Sequence, residues 1–248
     1  MNYEIKGGAF PVVELTVNNG VKVITEAGAM CWRDPSFSME TTSNGGIGKV
    51  IGRLFSGEKL FHNIYTSQKD GSKISFNSCV PGSIMAVEIK EGQNLICQKG
   101  SFLLAVGNVE LSVHWNKKFG AGLFGGEGFI MQKISGNGIA FIEIDGSSFT
   151  YDLVENQKLY ISTGHLVSMS ESCQIDIESV GGLKDMFLGG EGFFNTVITG
   201  PGRVVVQSMP VFKLARSINP HITHPESKSS GNSTVDAAVS IGKLFSNK

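Results

Sequence analysis

The chain has 248 residues, with 21 Lys and Arg against 22 Asp and Glu, for a formal net charge of −1 at pH 7. That balance excludes a polyanion binder working through overall charge, and the length allows a body that buries roughly 70–75% of its unfolded surface. Glycine is in excess, 32 residues or about 13% against a usual ~7%, and charged residues fall to 17% against a usual ~25%. Many turns, many strands and a surface partly hidden in an oligomer are expected. Charge is unevenly spread: from Lys213 onward the net is +3, and the body before it carries −4. A basic tail on an acidic body is read first as a solvated tail and second as a contact for an anionic surface. Cys31, Cys79, Cys97 and Cys173 are scattered with no C-x-x-C pair, which suits a reducing cytoplasm and argues against a zinc knuckle. No secretory signal pattern and no apolar run near ~18 residues is visible, so a soluble, cytoplasmic protein is expected.

In chain order, "VELTVNNGVKVI" from Val13 places two alternating runs around Asn-Gly and predicts a β-hairpin. "EAGAM" follows with Gly28, then "LFSGEKLF" with Glu58, then "TSQKDGSKISF" with a bend at Asp70-Gly71. The order then returns: "VEIKEGQNLI" from Val87 bends at Glu91-Gly92, "QKGSF" carries Gly100, and "LFGGEGF" carries Glu127. After it, "FIMQKISGNGIAFIEI" sets Gly136 and Gly138 between β-branched and aromatic runs, as a tight hairpin needs. A third pass runs through "YDLVENQKLYI" from Tyr151, "STGHL" with Gly164, "FLGGEGF" with Glu191, and "FFNTVITGPGRVVVQS" with Gly200 and Gly202.

The three Glu landmarks lie 69 and 64 positions apart, and the three Gly landmarks 72 and 64. Landmarks that keep one order and nearly one spacing predict an internal repeat. The expected fold is all-β: a single domain over residues 1–212 made of three modules, about 11–82, 83–146 and 147–212, packed around a pseudo-threefold axis. Such closure removes exposed sheet edges. Residues 213–248 read as a linker, "SINPHITHPESKSSGNS", and a tail whose last stretch predicts a short helix capped by Ser233.

Glu58, Glu127 and Glu191 are the candidate site residues. A carboxylate beside glycine at a barrel corner most often accepts backbone N–H groups. The sharper alternative brings the three together near the axis to bind a cation or polar ligand, where like charges would repel unless neutralised. Gly120, Gly122 and Gly125 formally spell G-x-G-x-x-G with Glu143 downstream. A hairpin rather than a helix is expected after them, which argues against a dinucleotide loop. Metalloprotease, nucleophile-elbow and Walker patterns are absent. Of His62, His114, His165, His221 and His224, none stands at ligand spacing from a matched Cys or acid. Trp32 and Trp115 sit at related places, just after the hydrophobic runs of the first two units, and are assigned to core or interface packing.

With its paired Gly-Gly-Glu-Gly-Phe phrases, the chain resembles the altered-inheritance-of-mitochondria family over roughly residues 3–212. The resemblance implies a double-stranded β-helix akin to the tryptophan RNA-binding attenuation protein, in three modules about a pseudo-threefold axis. It implies a bacterial domain of unknown function, whose eukaryotic relatives maintain the organisation of the mitochondrial inner membrane without a known catalytic step. No active-site residue is carried over. The first phrase departs from the others, with Ser56 and Lys59 where glycines stand.

A non-enzymatic scaffold or interaction protein is therefore expected, with no cofactor, acting through a protein partner or a homo-oligomer and near a membrane surface through its tail. A small-molecule or ion-binding protein using clefts between modules is the alternative. Neither DNA nor RNA is an expected partner, because the body is acidic and lacks aromatic–basic interleaving.

Overall fold

A computed structural model describes residues 1–42, 62–117, 129–162, 164–179 and 194–219. Among the described residues it is nearly all β, built of antiparallel sheets with one short α-helix. The first third holds β1 (Asn2–Lys6), β2 (Val12–Val17), β3 (Lys22–Glu26), β4 (Met30–Arg33), β5 (Phe37–Thr42), β6 (His62–Ser67) and β7 (Ser72–Asn77). The middle third holds β8 (Gly82–Ile89), β9 (Leu95–Gln98), β10 (Phe102–Lys117) and β11 (Phe129–Asp145). The last holds β12 (Ser148–Leu153), β13 (Lys158–Ser162), β14 (Leu166–Ser170), β15 (Gln174–Ser179), β16 (Phe194–Thr199), β17 (Gly202–Gln207) and α1 (Val211–Ile218).

In the first third β7 lies between β2 and β4, and β6 between β3 and β5. In the last third β17 lies between β12 and β14, and β16 between β13 and β15. In the middle, the long β11 does both jobs: its C-terminal half pairs β8 and the start of β10, its N-terminal half β9 and the end of β10. Two further pairings stitch the thirds together, β3 to β10 and β9 to β14. A shift of register also returns at one place, between Met30 and Trp32, Phe102 and Leu104, and Leu166 and Ser168. Each follows Gly28, Gly100 or Gly164 by two residues.

The expected hairpins are corners instead. Val21, Gln93 and Gln157 each donate their N–H to the carbonyl three residues back, at 3.2, 2.9 and 3.1 Å. The third turn residue has positive φ in every case: 80° at Gly20, 78° at Gly92 and 63° at Asn156. The local turn chemistry was read correctly, but its flanking strands part company: β2 pairs β1 and β7, whereas β3 pairs β6 and β10. Nor does "SGNG" turn the chain, because β11 runs straight through it. Gly107 (φ 110°) and Gly136 (φ 108°) let the β10–β11 pair bend without a break. At Gly138 the backbones come so close that a Cβ would strike the Val106 carbonyl and lie 2.7 Å from Val109 Cγ2.

Alternation decides which side chains enter the core. On β2, Val13, Leu15 and Val17 are fully buried while Glu14 and Thr16 face outward. They join Ile74 and Phe76 of β7 and, from the middle third, Leu104 and Phe141. Each such side chain contributes roughly 1.5–3 kcal/mol by leaving water. A second cluster draws Ile24 and Ile64 from the first third and Val167 and Val205 from the last around the middle-third strands. A third joins Ile96, Phe129 and Met131 to Leu166, Ile198 and Val204. Trp115 stacks edge-on against Phe129 at 5.9 Å, but Trp32 stands 56% exposed on β4, so the two tryptophans occupy unlike places. Helix α1 straddles the expected boundary after residue 212. Among the described residues no helix is long and apolar enough to cross a membrane. The expected helix after Ser233 lies outside the described residues.

Gly138→Ala is expected to cost roughly 1–3 kcal/mol, because its methyl group meets backbone that cannot retreat. Gly100→Ala meets open space and should stay within about 0.5 kcal/mol of the parent. Urea denaturation of both variants checks the contrast.

Candidate functional site

Glu58, Glu127 and Glu191 lie outside the described residues, as do His221 and His224. In chain order the three acids fall between β5 and β6, β10 and β11, and β15 and β16. Glu143 is described, and it accepts the backbone N–H of Cys79 at 2.9 Å from within β11. The glycine-rich stretch before it leads into that strand, not into a helix.

The described polar chemistry gathers where β11 ends against the last third. Asp145 follows Glu143 by two residues on β11, and both are buried. The Val211 N–H donates to Asp145 Oδ2 at 2.9 Å, so the acid satisfies an amide at the start of α1. The Asp145 N–H donates to Gln207 Oε1 at 2.9 Å, and Gln207 Nε2 donates to the Gly164 carbonyl at 2.9 Å. His165 Nδ1 lies 2.6 Å from the Gln207 carbonyl, which only accepts, so Nδ1 carries the proton. Gly164 has room for no side chain, since a Cβ there would strike the Phe212 ring from α1. These contacts fasten a helix that is otherwise largely exposed.

Burial raises the pKa of both acids; at Glu143 the N–H of Cys79 pulls it back, and at Asp145 that of Val211 does so. Burial lowers that of His165, opposed by its bond to Gln207. Each of these buried groups is engaged with backbone. An open cleft of about 240 Å³ lies beside them, lined by Tyr151, Tyr160, Ile161, His165, Val206 and Gln207 among others. Of its lining residues, Tyr151 on β12 and Tyr160 on β13 are 45% and 55% exposed, and Phe149, two before Tyr151 and thus on the same face of β12, is 51% exposed. Among the described residues no group of three or more His, Cys, Asp or Glu is placed to hold a metal ion.

His62 is buried at the start of β6, with both ring nitrogens unpartnered and its ring edge-on to Phe102 at 5.7 Å. Glu26 Oε2 is 3.8 Å from Nε2, beyond hydrogen-bond reach. Burial first, then the Lys99 ammonium, lowers the His62 pKa to about 4, so the ring is neutral at pH 7. Cys97 is buried and its thiol is pushed up to about 12, an inert apolar filler. Sequence reasoning passed over Asp145, Gln207 and the His165 network. The available signal was "FIEID", two acids alternating inside a strand of large apolar residues.

An antiparallel all-β body with buried, structural acids defines a class of protein but no reaction. Residues 3–209 match the Mitochondrial biogenesis AIM24 family, and the chain belongs to it. An uncharacterized protein of Streptococcus pyogenes serotype M6 is 28% identical over 230 residues, covering 86% of this chain and 87% of its own. The crystal structure of another Streptococcus pyogenes protein superposes with a TM-score of 0.72 at 23% identity. It covers 89% of this chain and 99% of that one and supports the fold alone.

Asp145→Ala leaves the Val211 N–H without its acceptor and should cost about 1–3 kcal/mol. Asp145→Asn keeps an acceptor oxygen and sheds a buried charge, so it should cost less; chemical denaturation of both, with hydrogen exchange at Val211, checks the order. For His62, the unfolded chain takes up the proton first as pH falls below 6.5. Its contribution is complete above that pH and is lost toward pH 4, by up to about 3 kcal/mol. The raised pKa values of Glu143 and Asp145 act in the opposite sense. The difference between the parent and His62→Phe cancels them, and thermal unfolding from pH 7 to 4.5 should show a flatter profile for the variant.

Proposed function

We propose that this chain is a non-catalytic scaffold of three copies of one β unit, related in form to the tryptophan RNA-binding attenuation protein, and that it works by holding a protein partner. The pairing of β2–β7–β4 and β3–β6–β5, met again in the last third and in fused form in the middle, supports the three-unit reading. One observation carries the partner: Tyr151 and Tyr160 line a cleft and stand exposed, as does Phe149 on the same face of β12 as Tyr151. Tyr and Phe are enriched at interfaces because they bury much area for little lost side-chain freedom. The tail from Lys213, with its net +3, adds an electrostatic contact to an anionic surface.

Native mass spectrometry of the chain purified from its own cells should retain a partner. Replacing Phe149 and Tyr151 by Ser should weaken that complex about 30-fold, as for a typical hot spot, without moving the unfolding midpoint. A turnover activity that survives purification and ignores both substitutions would remove the scaffold reading. The cleft itself favours a second reading, a small polar ligand held among Tyr151, Tyr160 and His165. A thermal-shift panel of amino acids, nucleotides and divalent ions tests it, since a ligand at 100 times its Kd stabilises by about 2.7 kcal/mol.

A further inference from the structure

The joint between the first and middle thirds pairs Leu104 with Thr25, Ala105 with Ile24 and Val106 with Val23. The joint between the middle and last thirds pairs Ser168 with Cys97, Met169 with Ile96 and Ser170 with Leu95. Measured from Gly28, Gly100 and Gly164, these are the same positions used twice. In each, the strand before the glycine in one third receives the strand after the glycine in the next. The same count applied to the ends of the chain leaves one unused pair: β13, from the last third, and β4, from the first. Trp32 would face Ile161, Arg33 would face Tyr160 and Asp34 would face Leu159.

Among the described residues neither edge is taken: β4 ends a four-stranded sheet, β13 ends a three-stranded one, and no pairing joins them. The side chains register the difference. Leu104 and Ile96, at the two closed joints, are 0% exposed, whereas Trp32 and Tyr160, at the corresponding open positions, are 56% and 55% exposed. The cleft lined by Tyr160, Ile161 and Ser162 lies at this same free edge. An unpaired strand edge with apolar side chains is a template for another strand, and this one has its complement at the far end of the same chain.

We infer that a second copy of this chain closes the joint, with β4 of one copy added antiparallel to β13 of the next, in the register used at the two internal joints. The contact is head-to-tail, so it propagates into a ring or a filament rather than stopping at a symmetric dimer. It brings the Arg33 guanidinium opposite the Tyr160 ring, where the internal joints place Ala105 opposite Ile24 and Met169 opposite Ile96. This inference shares Tyr160 and the cleft with the partner reading; substitutions at Phe149 and Tyr151, which leave β13 untouched, separate the two, and the inference would stand even for a chain that turned over a substrate.

Light scattering and native mass spectrometry of the purified full chain should show integer multiples that grow with concentration. Trp32→Lys blocks one edge and Tyr160→Lys the other, both at exposed positions where the fold tolerates charge. Each variant alone should be monomeric with an unchanged circular-dichroism spectrum and unfolding midpoint. Mixed, they should form a one-to-one dimer and nothing larger, because each still owns the edge the other lacks. In a Cys31→Ser, Cys79→Ser background, Arg33→Cys with Tyr160→Cys should oxidise to a ladder of linked chains on a non-reducing gel. A parent that stays monomeric at its highest soluble concentration would overturn the inference. So would assembly indifferent to both Lys variants, absence of the mixed dimer, or a cross-link formed within single chains.

Discussion

A strand has two edges of N–H and C=O groups, and where each edge finds its partner governs everything else in this molecule. The three tight turns at Gly20, Gly92 and Asn156 do not lay a strand back on its predecessor. They hand it to other partners, and after Gly20 and Gly92 its outer edge meets a strand from the neighbouring third, while among the described residues β13, after Asn156, keeps that edge open. The pairings of β3 with β10 and of β9 with β14 are the result. The core obeys the same rule, since the clusters around Phe141, Ile142 and Met131 draw side chains from adjacent thirds. No third would bury its apolar face alone, so the chain acquires stability as neighbouring units close.

Buried ionisable groups follow from this geometry. Where β11 ends, the loop before β8 and the start of α1 present backbone amides to a dry interior. Glu143 and Asp145 receive them. Raised carboxyl pKa values record the strain of holding charge there. His62 answers a similar environment differently: it stays neutral among apolar neighbours with its nitrogens unpartnered. These groups resemble an active site in their titration and a set of fasteners in their contacts, and it is the contacts that assign their roles.

Much of the architecture could be read from residue order. Alternation at Val13, Leu15 and Val17 marked a strand and named its buried face, and the recurring glycines marked the places where register later shifts. The hairpins were misread for a physical reason. An Asn-Gly turn specifies a local reversal through φ > 0, but whether the two strands then bond to each other depends on competing edges dozens of residues away. Gly136 and Gly138 were taken as a turn, yet they serve a bend and a close approach opposite Gly107 and Val109, partners that adjacent sequence cannot announce. The Asp145–Gln207–His165 network was invisible because its bonds join residues 42 and 62 positions apart, and the exposure of Phe149, Tyr151 and Tyr160 is set by which strands cover them.

Sequence by itself determined the secondary structure class, the family and the periodic placement of glycines, because these depend on local conformational preference and side-chain alternation. Only the tertiary structure decided which edges are paired and which, among the described residues, stand open at β4 and β13. It also decided which polar groups are buried and which aromatic residues face outward. Those outcomes depend on long-range backbone complementarity, in which a hydrogen-bonding edge is satisfied by whichever strand the whole chain brings beside it.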